Sequence, residues 1–153
     1  MCHFSFHKGD FTSSDVKFDI MNSLNNCTHD NASNEHTDRT IMQADVVMSD
    51  MAMNFCGDQL TDALRTISLC EDALDFAANP NRTNEESLSP EDCLLREDGT
   101  FLCKFFSCGQ KHEQDLMTAA KYYFSKVRVI KPLASRKDSS EKYLLAMKFK
   151  GLV

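Results

Sequence analysis

Apolar positions along this chain recur with two periods, one suited to strands and one to helices. Ala44-Asp45-Val46-Val47-Met48 is a compact apolar run ended by Ser49-Asp50 and predicts a buried strand. After Gly57, the residues Leu60, Leu64, Ile67, Leu74 and Phe76 recur at helical spacing with acids between them. They predict a helix from about 58 to 78, ended by Asn79-Pro80. Behind Gly99, Thr100-Phe101-Leu102-Cys103-Lys104-Phe105-Phe106 reads as a second strand, and a helix over about 113–124 follows. Strands are expected at 127–130 and 143–149, with a loop from Pro132 to Ser140 between them. Upstream, residues 3–6 read as a short strand, and Gly9-Asp10-Phe11-Thr12-Ser13 as a turn. The turn feeds a helix capped by Ser13 or Ser14, with Val16, Ile20 and Leu24 at intervals of four. Residues 25–43 and 79–98 are polar and have little to bury. They read as insertions, the second with room for one helical turn around Glu91–Leu95.

The order is strand, helix, strand, helix, strand, helix, strand, strand. Such alternation predicts the α/β class, with a parallel sheet carrying helices on both faces and an antiparallel pair at its end. Ligands of such sheets sit beyond the carboxyl ends of the strands, which is where functional residues are sought.

Composition narrows the class without changing it. A length of 153 residues suits one domain, and 42% hydrophobic with 26% charged residues excludes disorder, collagen and coiled coil. Uninterrupted apolar runs reach only four or five residues, far short of the ~20 needed to cross a bilayer, so no membrane partner is expected. With no leader-like segment in view, the expectation is a soluble, intracellular chain. Seven cysteines are an odd number with no C-x-x-C pair, and the five histidines do not pair with them at finger-like spacing. Reduced structural thiols and no metal are therefore expected.

Charge is uneven. Residues 111–153 hold ten Lys/Arg against four acids, a local +6, while residues 1–110 carry −12. A basic end on an acidic protein is either a local anion-binding face or an ordinary solvated surface.

Two ionisable residues stand where strands end. Asp50 directly follows an apolar strand. Lys104 lies inside one, where an unpartnered charge is costly. Burial favours the neutral amine and a neighbouring carboxylate the ammonium, so such a lysine can be held where it takes up a proton. The alternative is an edge-strand lysine whose stem crosses apolar surface to reach water.

Val46-Val47-Met48-Ser49-Asp50-Met51-Ala52-x-Asn54 resembles the fourth-strand motif of the FtsJ/RrmJ family of ribose 2′-O-methyltransferases acting on ribosomal RNA. Gly9-Asp10-Phe11 resembles that family's turn after its third strand. Phe101-Leu102-Cys103-Lys104-Phe105-Phe106 resembles its Phe-Val-x-Lys strand. Lys131-Pro132-x-x-Ser135-Arg136-x-x-Ser139-x-Glu141-x-Tyr143 resembles its closing run. The four segments follow the family's order from residue 4 to residue 150.

The resemblance implies a Rossmann-like, S-adenosylmethionine-dependent methyltransferase sheet. It implies that Lys104 takes the ribose 2′-hydroxyl proton, with Asp50 and Glu141 holding that lysine, and that Asp10 contacts the adenine while Asp50 borders the cofactor. Without the motif, Glu141 would read as an ordinary surface glutamate. Lys131, Arg136, Lys137 and Lys142, around the loop before the last strand, would then contact RNA phosphates. The partner implied is ribosomal RNA or the pre-ribosomal large subunit. The family's first lysine and its Gly-rich turn belong upstream of Gly9. The expectation is thus the C-terminal two-thirds of one domain over residues 1–153, lacking the first strands and binding cofactor poorly by itself. The polar insertions suggest a mitochondrial member, with nucleus or cytoplasm as alternatives. A second functional reading is an inactive remnant that binds RNA or a ribosome-assembly partner.

Overall fold

The computed structural model describes residues 8–26, 43–52, 54–78, 93–133, 136 and 139–151. The expected strand at 3–6 and most of the two polar segments lie outside these residues. The chain divides into a unit of residues 1–43 and a unit of residues 44–153.

In the first unit, α1 spans Ser14–Asn26. The Ser13 carbonyl accepts the Lys17 N–H at 3.3 Å, which sets Ser13 just ahead of the first turn.

The second unit contains β1 (Ala44–Ser49), α2 (Gln59–Ala78), β2 (Leu95–Phe106), α3 (Gln110–Tyr123), β3 (Phe124–Ile130) and β4 (Glu141–Phe149). The strands lie in the order β1-β2-β4-β3. β1 runs parallel to β2, whereas β4 is antiparallel to both β2 and β3. The final two strands pair as expected, but β4 enters between β2 and β3, so the sheet is mixed rather than wholly parallel.

Register sorts the side chains onto two faces. Val47, Phe101 and Ala146 form one row, and Ser49, Cys103 and Leu144 the next; these point to the face on which α2 and α3 pack. Met48, Leu102 and Leu145 point the other way, as do Lys104 and Tyr143. The core sits on the helix side, around Phe101, Phe105, Leu74, Leu116 and Leu144. Lys148, at φ 60°, breaks the alternation of β4, and Phe149 turns into this core. There its ring meets Phe124 at 5.5 Å between centroids.

Three expectations are corrected. β1 is not buried: it is an edge strand among the described residues, and Val46 and Met48 are 52% and 71% exposed. The buried face of α2 is Ala63, Ile67, Cys70, Ala73, Leu74 and Ala77, while Leu60 and Leu64 are exposed. Small residues let the helix approach the sheet closely, and the larger leucines fall beside that contact rather than in it. β2 begins at Leu95, where a helical turn was expected. Leu95 pairs with Ala44, the chain loops out through 96–99, and Thr100 pairs with Val46. Asp98 at φ 62° makes that excursion possible, and Gly99 must lack a side chain because a Cβ there would lie 2.7 Å from the Arg96 carbonyl oxygen. An ion pair between Arg96 and Asp45 closes it.

Candidate active site

The parallel pairing of β1 and β2 places Ser49 opposite Cys103, so the next residues lie side by side, Asp50 just past the end of β1 and Lys104 within the last residues of β2 that pair with β4. The Lys104 ammonium forms an ion pair with the Asp50 carboxylate. The lysine side chain is 17% exposed and the aspartate 74%, so the amine is largely withdrawn from water and its partner is not. A lone charge at that depth costs several kcal/mol, and one carboxylate at the water boundary offsets part of it.

β4 supplies the other side. Tyr143 lies directly opposite Lys104, and Glu141 opposite Phe106. Glu141 is therefore the diagonal neighbour of Lys104 on the same face, within reach of a long side chain. The Tyr143 hydroxyl donates to Glu141 Oε1 at 2.8 Å. That hydrogen bond to a carboxylate, then burial and the negative charges of Glu141 and Asp50, holds the phenol above its usual range. An amine, a phenol and two carboxylates thus share one rim of the sheet.

The segment after Asp50 is fixed by residues that periodicity does not single out. The N–H groups of Cys56 and Gly57 donate to the two Asp62 carboxylate oxygens at 2.8 and 3.1 Å, which lowers that carboxyl below its usual range. Gly57, at φ 90°, adopts the left-handed conformation this turn needs. The Phe55 ring meets Phe106 edge-on at 5.6 Å. Thr66, fully buried on α2, accepts the Phe106 N–H at 3.1 Å and donates to the Ala63 carbonyl at 2.8 Å. A polar residue on the apolar face of a helix is the one sequence signal for Thr66, and an acid in the first turn is the one for Asp62. Behind Lys104, on the helix side, Cys70 and Cys103 share a hydrogen bond that raises the Cys70 thiol and lowers that of Cys103. All five described cysteines are free thiols.

The remaining candidates fall elsewhere. In the first unit, Asp10 Oδ1 accepts the Thr12 N–H at 2.9 Å and the Thr12 hydroxyl at 2.8 Å, which keeps its carboxyl below the usual range. Of the expected RNA contacts, Lys131 and Arg136 both bond to Ser139 in the loop before β4, whereas Lys142 turns away. Lys131 donates to the Ser139 carbonyl at 2.9 Å, Arg136 is exposed, and Lys137 lies outside the described residues. Lys142 is opposite Phe105, on the helix face, and forms an ion pair with Glu113 of α3 at 2.6 Å. It therefore points away from the side that carries Lys104. Among the described residues no three His, Cys, Asp or Glu side chains come together as a metal site would need, and no helix is long and apolar enough to cross a membrane.

Comparison with known proteins adds to this geometry. The family model described as FtsJ-like methyltransferase matches residues 2–149. The ribosomal RNA large subunit methyltransferase E of Rhodopseudomonas palustris is 45% identical over 109 residues, covering 71% of this chain and 40% of the relative. The protein of the same name from Afipia carboxidovorans is 46% identical over 108 residues, covering 71% of this chain and 41% of the relative. The chain thus spans about 40% of the length of the curated relatives it matches. The crystal structure of a ribosomal RNA methyltransferase from Plasmodium falciparum superposes with a TM-score of 0.53 at 24% identity, over 72% of this chain and 49% of that one. That likeness bears on the fold alone.

Proposed function

This chain belongs to the FtsJ-like methyltransferase family, and on that premise we propose that it carries out 2′-O-methylation of ribose in large-subunit ribosomal RNA. The observation that carries the proposal is the Lys104–Asp50 pair, set at the rim where β1 and β2 end and backed by Glu141 and Tyr143.

A ribose hydroxyl is a poor nucleophile, and a protein improves it by positioning and by removing its proton. Lys104 Nζ, after passing its resting proton to solvent, accepts the 2′-hydroxyl proton while the oxygen forms its bond to the incoming methyl carbon. The proton stays on Nζ, and the resulting ammonium is stabilised by Asp50, with Glu141 as its diagonal neighbour. Withdrawal of the lysine stem from water keeps that amine in one place. S-adenosylmethionine, when bound, supplies a methyl group on a sulfonium with a neutral thioether as leaving group. Asp50, an exposed carboxylate at a strand end, can accept hydrogen bonds from the amino or hydroxyl groups of such a molecule. In the first unit, Asp10 likewise carries a carboxylate oxygen that takes no hydrogen bond among the described residues, as the resemblance to the adenine contact would require. The polar segments 25–43 and 79–98 support a mitochondrial location, which fractionation of expressing cells would test.

The test is transfer of labelled methyl from S-adenosylmethionine to large-subunit ribosomal RNA, using the longest polypeptide the gene encodes. Lys104→Ala should lower turnover by about 10²–10⁴-fold with folding intact. Unchanged turnover would remove Lys104 from the chemistry. RNA binding without turnover in the unaltered protein would favour the remnant reading instead.

A further inference from the structure

Beyond Lys131 and Arg136 in the loop before β4, four other basic residues of the C-terminal third meet at one place. An open groove of about 490 Å³ runs along β3, lined by Lys121 from the end of α3, Lys126 and Arg128 from β3, and Lys150 after β4. No carboxylate lines it among the described residues. Lys150 is held in place, donating to the Lys121 and Tyr122 carbonyls at 2.7 and 3.1 Å. Lys121, Lys126 and Arg128 take part in none of the described ion pairs, whereas Arg96, Lys104 and Lys142 each hold a carboxylate. Arg65, Lys111 and Lys148 are likewise outside these ion pairs, so what sets the groove cations apart is that four of them line one concavity free of acids among the described residues.

Register relates the groove to the candidate site. Ile130 pairs with Tyr143, which pairs with Lys104; Arg128 lies in the next row with Leu145 and Leu102, and Lys126 in the row after with Met147 and Thr100. Arg128 and Lys126 therefore project to the same side of the sheet as Lys104, while Lys121 of α3 approaches from the helix side, so the groove wraps the β3 edge. From strand spacing and rise, the Cα atoms of Lys104 and Arg128 are roughly 12 Å apart. A short single-stranded segment covers that distance across the face of Tyr143, Leu145 and Ile130.

We infer that this groove holds the sugar–phosphate backbone of the RNA strand whose ribose lies at Lys104, an inference that rests on the methyl-transfer reading above. Edge strands often carry lysine to prevent pairing with another sheet. Here, however, the cations come from three segments and converge on one concavity, as a polyanion track requires. Contacts of this kind set register and orientation without reading bases.

The test is fluorescence anisotropy of a labelled large-subunit ribosomal RNA fragment titrated with the protein at several salt concentrations. Replacing Lys126→Gln and Arg128→Gln together should weaken binding roughly tenfold in 0.1 M salt. It should also lower the slope of log K against log salt by roughly 1.4, the value for two fewer phosphates neutralised on a single strand. Arg96→Gln, at the far end of the sheet and paired with Asp45, should leave both within twofold. Unchanged affinity in the double variant, with methyl transfer still abolished by Lys104→Ala, overturns the groove and leaves the methyl-transfer reading standing. Absence of RNA binding and of turnover in the unaltered protein overturns both. Loss of affinity for a peptide or vesicle in place of RNA overturns the groove's assigned occupant.

Discussion

At one margin of the sheet β1 turns Val46 and Met48 to solvent; at the other, β3 turns out Lys126 and Arg128. Both are edge strands of the same sheet among the described residues, yet one is apolar and one charged. A bare apolar edge invites pairing or burial, and a charged edge refuses both. The difference extends inward. β3 grows directly out of α3 and is rooted by Phe124, buried between Phe101 and Phe149, whereas no residue of β1 is fully buried. The two edges teach different things: the basic one is anchored and free to meet an anion, and the apolar one carries Asp50 at its end but has little of its own to hold it.

Three measurements bear on this contrast. The largest effect belongs to the root of β3. Phe124→Ala should lower the free energy of unfolding by about 3–5 kcal/mol in a urea titration, because a ring lost from the core leaves a cavity. A loss below about 1 kcal/mol would mean that β3 is not anchored as described.

Next is the clamp between β4 and α3. Burial pushes the Glu113 carboxyl up, but the hydrogen bonds from Lys142 and Ser107 outweigh it, and the carboxyl titrates below its usual range. Its contribution is therefore whole above the ordinary glutamate value of about 4.3 and drains away as pH falls through the lower, folded value. The urea midpoint of the unaltered protein should drop through that acid window, and Glu113→Gln should flatten the drop while lowering the midpoint at neutral pH. Parallel curves for the two proteins would remove the clamp.

The smallest change in stability is expected at β1. Met48→Lys should alter the free energy of unfolding by no more than about 0.5 kcal/mol, since the side chain is mostly in water. Yet it should raise the concentration at which light scattering first reports self-association. No shift in that onset would mean the apolar edge is not a pairing surface.

Much of the fold was legible because strands and helices differ in period. β1, α2, β2, α3, β3 and β4 all arise where the apolar pattern places them. What failed did so for local reasons. Leu60 and Leu64 outweigh Ala63, Ala73 and Ala77 in hydrophobicity, but close packing selects the alanines. The start of β2 was hidden because Asp98 and Gly99 look like a turn and act as an excursion within a pairing. At the candidate site, Asp50 and Lys104 were visible because charges beside apolar runs are unusual, and the register then placed them together. Asp62 and Thr66 were not, because their partners are backbone amides that only the folded chain brings near. Lys142 illustrates the limit of a charge map. Alternation along β4 from Tyr143 sends it to the opposite face, a signal available in the sequence but weaker than the cluster it seemed to join.

The pairing pattern at Lys104 has one more consequence. β2 has a parallel neighbour on one flank and an antiparallel neighbour on the other, so one strand leaves the rim where another enters it. Asp50 comes from a departure, just past the last residue of β1, and Glu141 from an arrival, as the first residue of β4. Both acids are therefore set by the strand pairings on either side of β2, and the bonds of Cys56 and Gly57 to Asp62 hold the chain beyond Asp50. A sheet wired this way brings two acids from opposite chain directions to one amine.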